Sequence, residues 1–301
     1  FSVGELKSGP HGYLEPETVA AAMDEDVAGI MLTNPNTLGI FESNIAKIAK
    51  IVHAKGGYVY GDGANLNALL GRARPGDLGV DVMHMNLHKT FATPHGGGGP
   101  GAGPVGVVKE LEPFLPAPVV VKEGERYRLQ FDRPLSIGRV RSFWGNFGVL
   151  VRAWAYIREL GPQGLKAVSD LAVLNANYVR ALLEDAYHLP YQTASLHEVV
   201  LSDKKQKEHG VTTMDIAKRL IDHGFHPPTI YFPLIVAGAL MIEPTETESK
   251  ASVEAFAAAM KSIAEEAKEA PEAVKAAPTR AYRERLDEVK AARKPVLRWK
   301  P

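Results

Sequence analysis

The feature that most limits the fold is an alternation of short apolar runs with helical segments in the first third of the chain. Apolar side chains recur at helical spacing over residues 42–55. Strands that alternate with helices form a mostly parallel sheet covered on both faces, so the sequence predicts an α/β fold. The runs typical of buried strands lie at residues 27–32, 58–60, 82–86 and 105–108.

The pattern changes after about residue 139, where long amphipathic segments replace the alternation. We expect a smaller α+β domain over residues 139–301, following the C-terminal half of a larger domain over residues 1–138. The charged tail from Pro271 is predicted to lie on the surface. Helices are predicted at 146–160, 165–183, 212–223 and from Thr245 to 268, and strands at 198–201 and 234–236.

Composition excludes several classes of partner and chemistry. Lys+Arg and Asp+Glu both number 35, so the formal net charge is zero. This balance does not favour binding to nucleic acid or to an anionic membrane. The absence of cysteine rules out disulfides, thiolate metal sites and a cysteine nucleophile, and fits a cytoplasmic protein. The longest apolar stretch, residues 229–242, is too short to span a membrane and is interpreted as a buried strand.

Three polar residues each follow a different predicted strand. Asn34, Asp62 and Lys89 stand at these points. In open α/β sheets, ligands bind outside the carboxyl ends of the strands. We therefore expect the three side chains to converge at one edge of the sheet. Lys89 follows Asp62 by 27 residues (89 − 62), which is enough for one crossover to the next strand.

The amine and the carboxylate together suggest covalently held pyridoxal phosphate (PLP). A lysine amine bonds to an aldehyde cofactor, and a carboxylate keeps the pyridine nitrogen protonated. Asp62 can supply that carboxylate, Ala64 leaves room for a flat ring, and Asn34 can donate to the ring hydroxyl oxygen. The alternatives are a solvated lysine, an aspartate that caps a turn or helix, and an Asn-Pro turn.

The glycine run at residues 96–99 follows Lys89 and precedes a strand, which is the wrong order for a Walker loop. It is either a flexible linker or a loop whose backbone approaches a ligand closely. His84, His88 and His95 are possible metal ligands. His84 and His88 are four residues apart, a spacing that would place them on one face of a helix, but this segment is predicted to be a strand. No metal site is therefore predicted. His88 fits a phosphate or ring contact better, and His84 a core histidine.

Arg139, Arg141 and Ser142 lie near the predicted domain junction. An arginine there can hold a substrate carboxylate with two hydrogen bonds, or form an interdomain salt bridge. Thr229 and Glu243 adjoin apolar strands of the second domain and are weaker candidates for lining a site.

Taken together, these motifs resemble the glycine cleavage system P-protein family, either the second subunit of its two-subunit form or the C-terminal part of its fused form. The resemblance runs nearly end to end. The residues that carry it are Thr33–Gly39, Asp62–Ala68, Asn86–Phe91, Pro94–Gly101, Gly138–Phe143, His226–Thr229 and Glu243–Glu248.

The resemblance implies a PLP-dependent glycine decarboxylase of the fold-type I, aminotransferase-like class. It implies that glycine loses CO₂ and that its aminomethyl group passes to the lipoyl arm of H-protein, with a homologous first subunit or a dimer mate as partner. Lys89, Asp62 and His88 would then be catalytic, and the same three with Ala64, Asn34 and Thr90 would bind the cofactor. Candidates for binding glycine are His95, Gly97, Arg141, Ser142 and Thr229.

Family members carry a long stretch before the point that matches Phe1, including a phosphate-binding loop and an aromatic side chain that stacks on the ring. We therefore expect this chain alone to bind PLP poorly. Two other functions stay open at this point: another fold-type I PLP enzyme, such as an aldolase or desulfurase relative, and a fragment that only completes a partner's site.

Overall fold

The computed structural model describes residues 1–95 and 101–299. The chain forms two compact units. The first comprises Phe1–Val173 and Thr193–His197, and the second Leu174–Gln192 and Glu198–Pro301. The predicted domain boundary between residues 138 and 139 stays a prediction.

The first unit is built on a four-stranded sheet in the order β1-β2-β3-β4. The first three strands are parallel, and β4 pairs with β3 in the antiparallel direction. The predicted mostly parallel sheet is therefore confirmed. The strands are β1 (Gly29–Thr33), β2 (Tyr58–Gly63), β3 (Val82–Met85) and β4 (Val105–Val107).

Helix α2 (Ile45–Ala54), after α1 (Pro16–Ala22), makes the crossover from β1 to β2. Its predicted apolar face is confirmed, since Ile45, Ile48, Ala49 and Val52 are all buried against the sheet. Burying each of the larger side chains contributes about 1.5–3 kcal/mol. Their packing fixes the order of β1 and β2.

The turn of 3-10 helix Pro75–Leu78 leads into β3 and ends at Gly79, whose φ is 90°. A Cβ at Gly79 would lie 2.4 Å from the Cβ of Ala49 on α2, so only glycine fits here. After β3 comes a single helical turn, α3 (Leu87–Thr90).

An antiparallel hairpin that the sequence patterns missed follows a second 3-10 segment, Lys109–Phe114. It consists of β5 (Val119–Glu123) and β6 (Arg126–Gln130), which turn at Gly124 with φ 62°. The long helix α4 (Phe147–Leu183) is interrupted at Gly161 (φ 61°, ψ −175°), which confirms the predicted division into two helical segments.

The second unit contains a three-stranded antiparallel sheet in the order β7-β9-β8. Its core includes Leu183, Leu201, Leu240 and Met260. The capping box predicted at Thr212 is present. The elements are β7 (Val199–Ser202), α5 (Lys204–Lys207), α6 (Thr213–Asp222), β8 (Thr229–Ile230), β9 (Ala239–Ile242), α7 (Lys250–Glu269), α8 (Pro271–Ala276) and α9 (Glu288–Arg293).

Three predictions in this unit are wrong. The apolar run at residues 229–242 is two strands, because turns at residues 234–238 include Gly238 at φ 65°, and no strand forms at 234–236. Helix α7 starts after Ser249, whose hydroxyl accepts from the Ser252 N–H, and not at Thr245. The tail from Pro271 is not wholly superficial, since Val274 and Ala277 are fully buried.

Candidate functional site

The carboxyl ends of β1, β2 and β3 bring the predicted polar residues to one sheet edge. Thr33 pairs with Asp62, and Asp62 pairs with His84, so Asn34 follows β1 immediately beside Asp62. Asp62 lies within β2, one residue before its end, and not after the strand as predicted. The roles of these residues stay predictions, but their placement at adjacent strand ends is a property of the structure.

Asp62 is held at the strand end by contacts to one carboxylate oxygen. The Ala64 N–H donates to Oδ1 over 2.9 Å, and Nε2 of His84 lies 3.3 Å from the same atom. The side chain is one third exposed. The carboxylate is therefore oriented by the protein and still accessible.

Lys89 lies on α3, one turn beyond β3, with its side chain exposed. The turn begins at Asn86, whose N–H donates to the Gly63 carbonyl over 3.1 Å and so extends the pairing of β2 with β3. Thr90 is buried, and its Oγ1 accepts from the Leu66 N–H over 2.9 Å. This bond ties the turn that carries Lys89 to the loop that follows Asp62.

His88 and His95 lie together, with ring centroids 4.6 Å apart in an edge-to-face arrangement. Burial lowers the pKa of His88, and the charges of His95 and Lys89 lower it further. The Nδ1 atom of His88 is buried and has no hydrogen-bond partner within the described residues. A neutral imidazole therefore has one nitrogen available for a ligand beside Lys89.

Asn34 also has an unused polar atom. Its Oδ1 accepts from the Glu42 N–H over 3.0 Å, which fixes the orientation of the amide. Its Nδ2 is buried and, in the described part of the chain, has no acceptor. Leaving such a donor without a partner is costly, so the arrangement favours a ligand that supplies an acceptor there.

His197 is a residue that the sequence patterns missed. It lies in the segment Thr193–His197, which belongs to the first unit, and is 1% exposed. Burial, together with the charge of Lys89, lowers the pKa of its imidazole to about 4. No local motif marks this segment, because its proximity to Lys89 arises only in the folded unit.

The predicted substrate-binding residues are not gathered as a set. Arg141 and Ser142 are exposed and line an open cavity of about 720 Å³ together with Phe143 and Trp144. Among the described residues that line this cavity, none is Asn34, Asp62 or Lys89. His95 contacts His88, Thr229 belongs to the second unit, and Gly97 lies outside the described residues.

No helix within residues 1–95 and 101–299 is long and apolar enough to cross a membrane. In the same ranges, no three His, Asp or Glu side chains come together as metal ligands.

Several known proteins are similar to this chain in sequence. Residues 168–283 match the family described as glycine dehydrogenase, C-terminal domain. Over 299 residues, the chain is 58% identical to the probable glycine dehydrogenase (decarboxylating) subunit 2 of Caldanaerobacter subterraneus subsp. tengcongensis, and 59% identical to that of Bacillus licheniformis. The chain spans 62% of the length of each of these relatives, and each alignment covers 99% of the chain.

Solved structures share the fold. A glycine decarboxylase (P-protein) of the glycine cleavage system, in inhibitor-bound form, superposes with a TM-score of 0.69 and 22% identity, over 80% of this chain and 56% of that one. An apo cysteine desulfurase from Thermococcus onnurineus NA1 gives a TM-score of 0.65 and 17% identity, over 86% of this chain and 65% of that one. These similarities confirm the predicted fold-type I class.

Proposed function

We propose that the protein to which this chain belongs decarboxylates glycine with PLP bound covalently to Lys89, and transfers the aminomethyl group to the lipoyl arm of H-protein. The observation that carries the proposal is the convergence of Asn34, Asp62 and Lys89 at three adjacent strand ends. The names of the subunit 2 relatives support the choice of glycine among the substrates of this fold.

The residues present fit PLP on two independent counts. The buried Asn34 Nδ2 is a donor that lacks an acceptor, and the buried His88 Nδ1 is a ring nitrogen that lacks a partner, in both cases within the described residues. When bound, PLP supplies an aldehyde that bonds to amines and a protonated pyridine ring that accepts the electron pair left by departing CO₂. An acceptor-rich, planar ligand of this kind offers partners for both atoms.

Each residue then has a distinct role. The exposed Lys89 amine forms the covalent bond to the cofactor, and the Asp62 carboxylate holds a proton on the ring nitrogen. Asn34 donates from Nδ2 to the ring hydroxyl oxygen, whereas its Oδ1 stays on the Glu42 N–H. Ala64 leaves room beside the ring, and its N–H helps to orient Asp62.

His88 and Thr90 flank Lys89 on α3. We assign His88 to a phosphate or ring contact, because its neutral ring has a buried nitrogen without a described partner. Thr90 faces inward, where its hydroxyl accepts from the Leu66 N–H, so it supports the site through the position of α3 in addition to any contact with the cofactor.

For glycine itself, Arg141 and Ser142 are two of the proposed binding residues. A guanidinium can hold the substrate carboxylate with two hydrogen bonds, and the serine hydroxyl can add another. His95, Gly97 and Thr229 are the other proposed binding residues. We further propose a cytoplasmic assembly with a homologous first subunit or a dimer mate, consistent with relatives that are named as a second subunit.

Exchange of labelled bicarbonate into glycine, measured with and without lipoylated H-protein on the complete protein, tests this function. We expect exchange that depends on H-protein. Asp62→Asn should keep PLP bound but lower exchange about 10²–10³-fold, the usual effect of removing one group that stabilises developing charge. The exposed Asp77→Asn is a matched control and should exchange normally. Normal exchange by Asp62→Asn would contradict the role of this carboxylate.

A further inference from the structure

Two close contacts between polar side chains lead away from Asp62 along the sheet. The Tyr60 hydroxyl lies 2.8 Å from His84 Nδ1, and His84 Nε2 lies 3.3 Å from Asp62 Oδ1. Tyr60 and Asp62 are two residues apart on β2, so they point to the same face, and His84 is the register partner of Asp62 on β3. The neighbouring strands therefore place the three side chains in line.

The chemistry of the partners fixes the protons in these contacts. A carboxylate only accepts, so His84 Nε2 must carry the proton that faces Asp62. In the neutral ring, Nδ1 then has a lone pair and accepts the Tyr60 O–H. Tyr60 thereby selects the tautomer of His84 that donates to Asp62, in the way that an outer hydrogen bond fixes the tautomer of a histidine ligand.

The described strand beside His84, β4, offers no charged side chain to compete with Asp62. β4 pairs with β3 at His84 through Val105, and its residues Val105–Val107 include no titratable side chain. Burial raises the pKa of Tyr60, and the charge of Asp62 raises it further, so the phenol stays protonated and keeps donating. Both described contacts to Asp62 use Oδ1 and do not compete for Oδ2.

We propose that His84, with its tautomer set by Tyr60, is a positioning residue for Asp62 that holds the carboxylate oriented toward the cofactor's ring nitrogen. This inference rests on the function proposed above, because it gives His84 a task only if Asp62 serves that nitrogen. Neither Tyr60 nor His84 stood among the site residues predicted from the sequence.

The test uses the complete protein loaded with PLP labelled with ¹⁵N at the ring nitrogen. NMR then reports the pH at which this nitrogen loses its proton. In His84→Phe, we expect that pH to fall by about one unit, a tenfold change in the equilibrium. The kcat for bicarbonate exchange should fall about tenfold, as for loss of other outer-shell partners, with KM for glycine within about twofold of the wild type.

Two further variants separate positioning from packing. Tyr60→Phe keeps the ring and removes only the hydroxyl, so it should move both readouts in the same direction by a smaller amount. His84→Gln offers an amide N–H near the position of Nε2 and should restore part of both. His53→Gln is the matched control. His53 lies on α2, and its Nε2 contacts Asp81 Oδ2 over 2.8 Å, so this variant should resemble the wild type in both readouts.

The outcomes distinguish this inference from the proposed function. Normal PLP binding at Lys89 with an unchanged nitrogen titration and kcat in His84→Phe would overturn the role of His84 alone. A fall that His84→Gln does not reverse at all would assign His84 to packing and also overturn it. Failure of the wild type to hold PLP on Lys89 would contradict the proposed function and this inference with it.

Discussion

Replacing Thr90 with valine should destabilise the protein even when no cofactor is present. Thr90 is 4% exposed and Leu66 is 7% exposed, so the bond from the Leu66 N–H to Thr90 Oγ1 is shielded from water. Valine keeps the shape but removes the acceptor. An orphaned buried donor costs about 1–3 kcal/mol, which lowers the ratio of folded to unfolded protein about 5-fold to 150-fold.

Urea unfolding of the apo protein, followed by circular dichroism, measures this loss as a lower midpoint at an unchanged m-value. Thr93→Val is the matched control. Thr93 is also buried, but its Oγ1 has no hydrogen-bond partner in the described part of the chain, so this change should be neutral or stabilising. Equal stability of Thr90→Val and the wild type, or equal losses in the two variants, would refute the reasoning.

Two further predictions concern pH. Burial, with the charge of Lys89, lowers the pKa of His197 to about 4, whereas in the unfolded chain this imidazole takes up its proton near pH 6.5. The free energy of unfolding should therefore decrease as the pH is lowered from 6.5 to 4. In His197→Gln, the decrease in the urea midpoint over this range should be smaller. Burial raises the pKa of Asp222, but the N–H groups of Arg280 and Thr279 and the Arg219 guanidinium outweigh it and hold the pKa below 3.8. Its stabilisation should thus be present above pH 3.8 and be lost as the pH falls further, and Asp222→Asn should be less stable at pH 7 and lose less on acidification.

The placement of the site was predictable because parallel α/β sheets have a simple rule. Strand ends could be read from apolar runs, and residues that follow adjacent parallel strands must share an edge. This was enough to place Asn34, Asp62 and Lys89 together. The same rule could not identify His84. Its place beside Asp62 depends on the pairing register of β2 and β3, which apolar runs do not reveal.

Other features depend on contacts distant in sequence or on turns that periodicity does not reveal. His197 approaches Lys89 from a segment 108 residues (197 − 89) further along the chain, with no local signal. The strand predicted at residues 234–236 does not form, because the apolar run there is broken by turns that include Gly238 at φ 65°. Val274 is buried in an otherwise charged tail, which composition alone could not show.

The central claim is that Lys89 is the covalent anchor, and mapping the modified lysine tests it most directly. The complete protein is incubated with PLP, reduced with borohydride, digested, and searched by mass spectrometry for the labelled peptide. We predict the label on Lys89, its loss in Lys89→Arg, and its retention in Lys47→Arg, a change at an exposed lysine of α2. Label on a different lysine, or undiminished label in Lys89→Arg, would contradict the account.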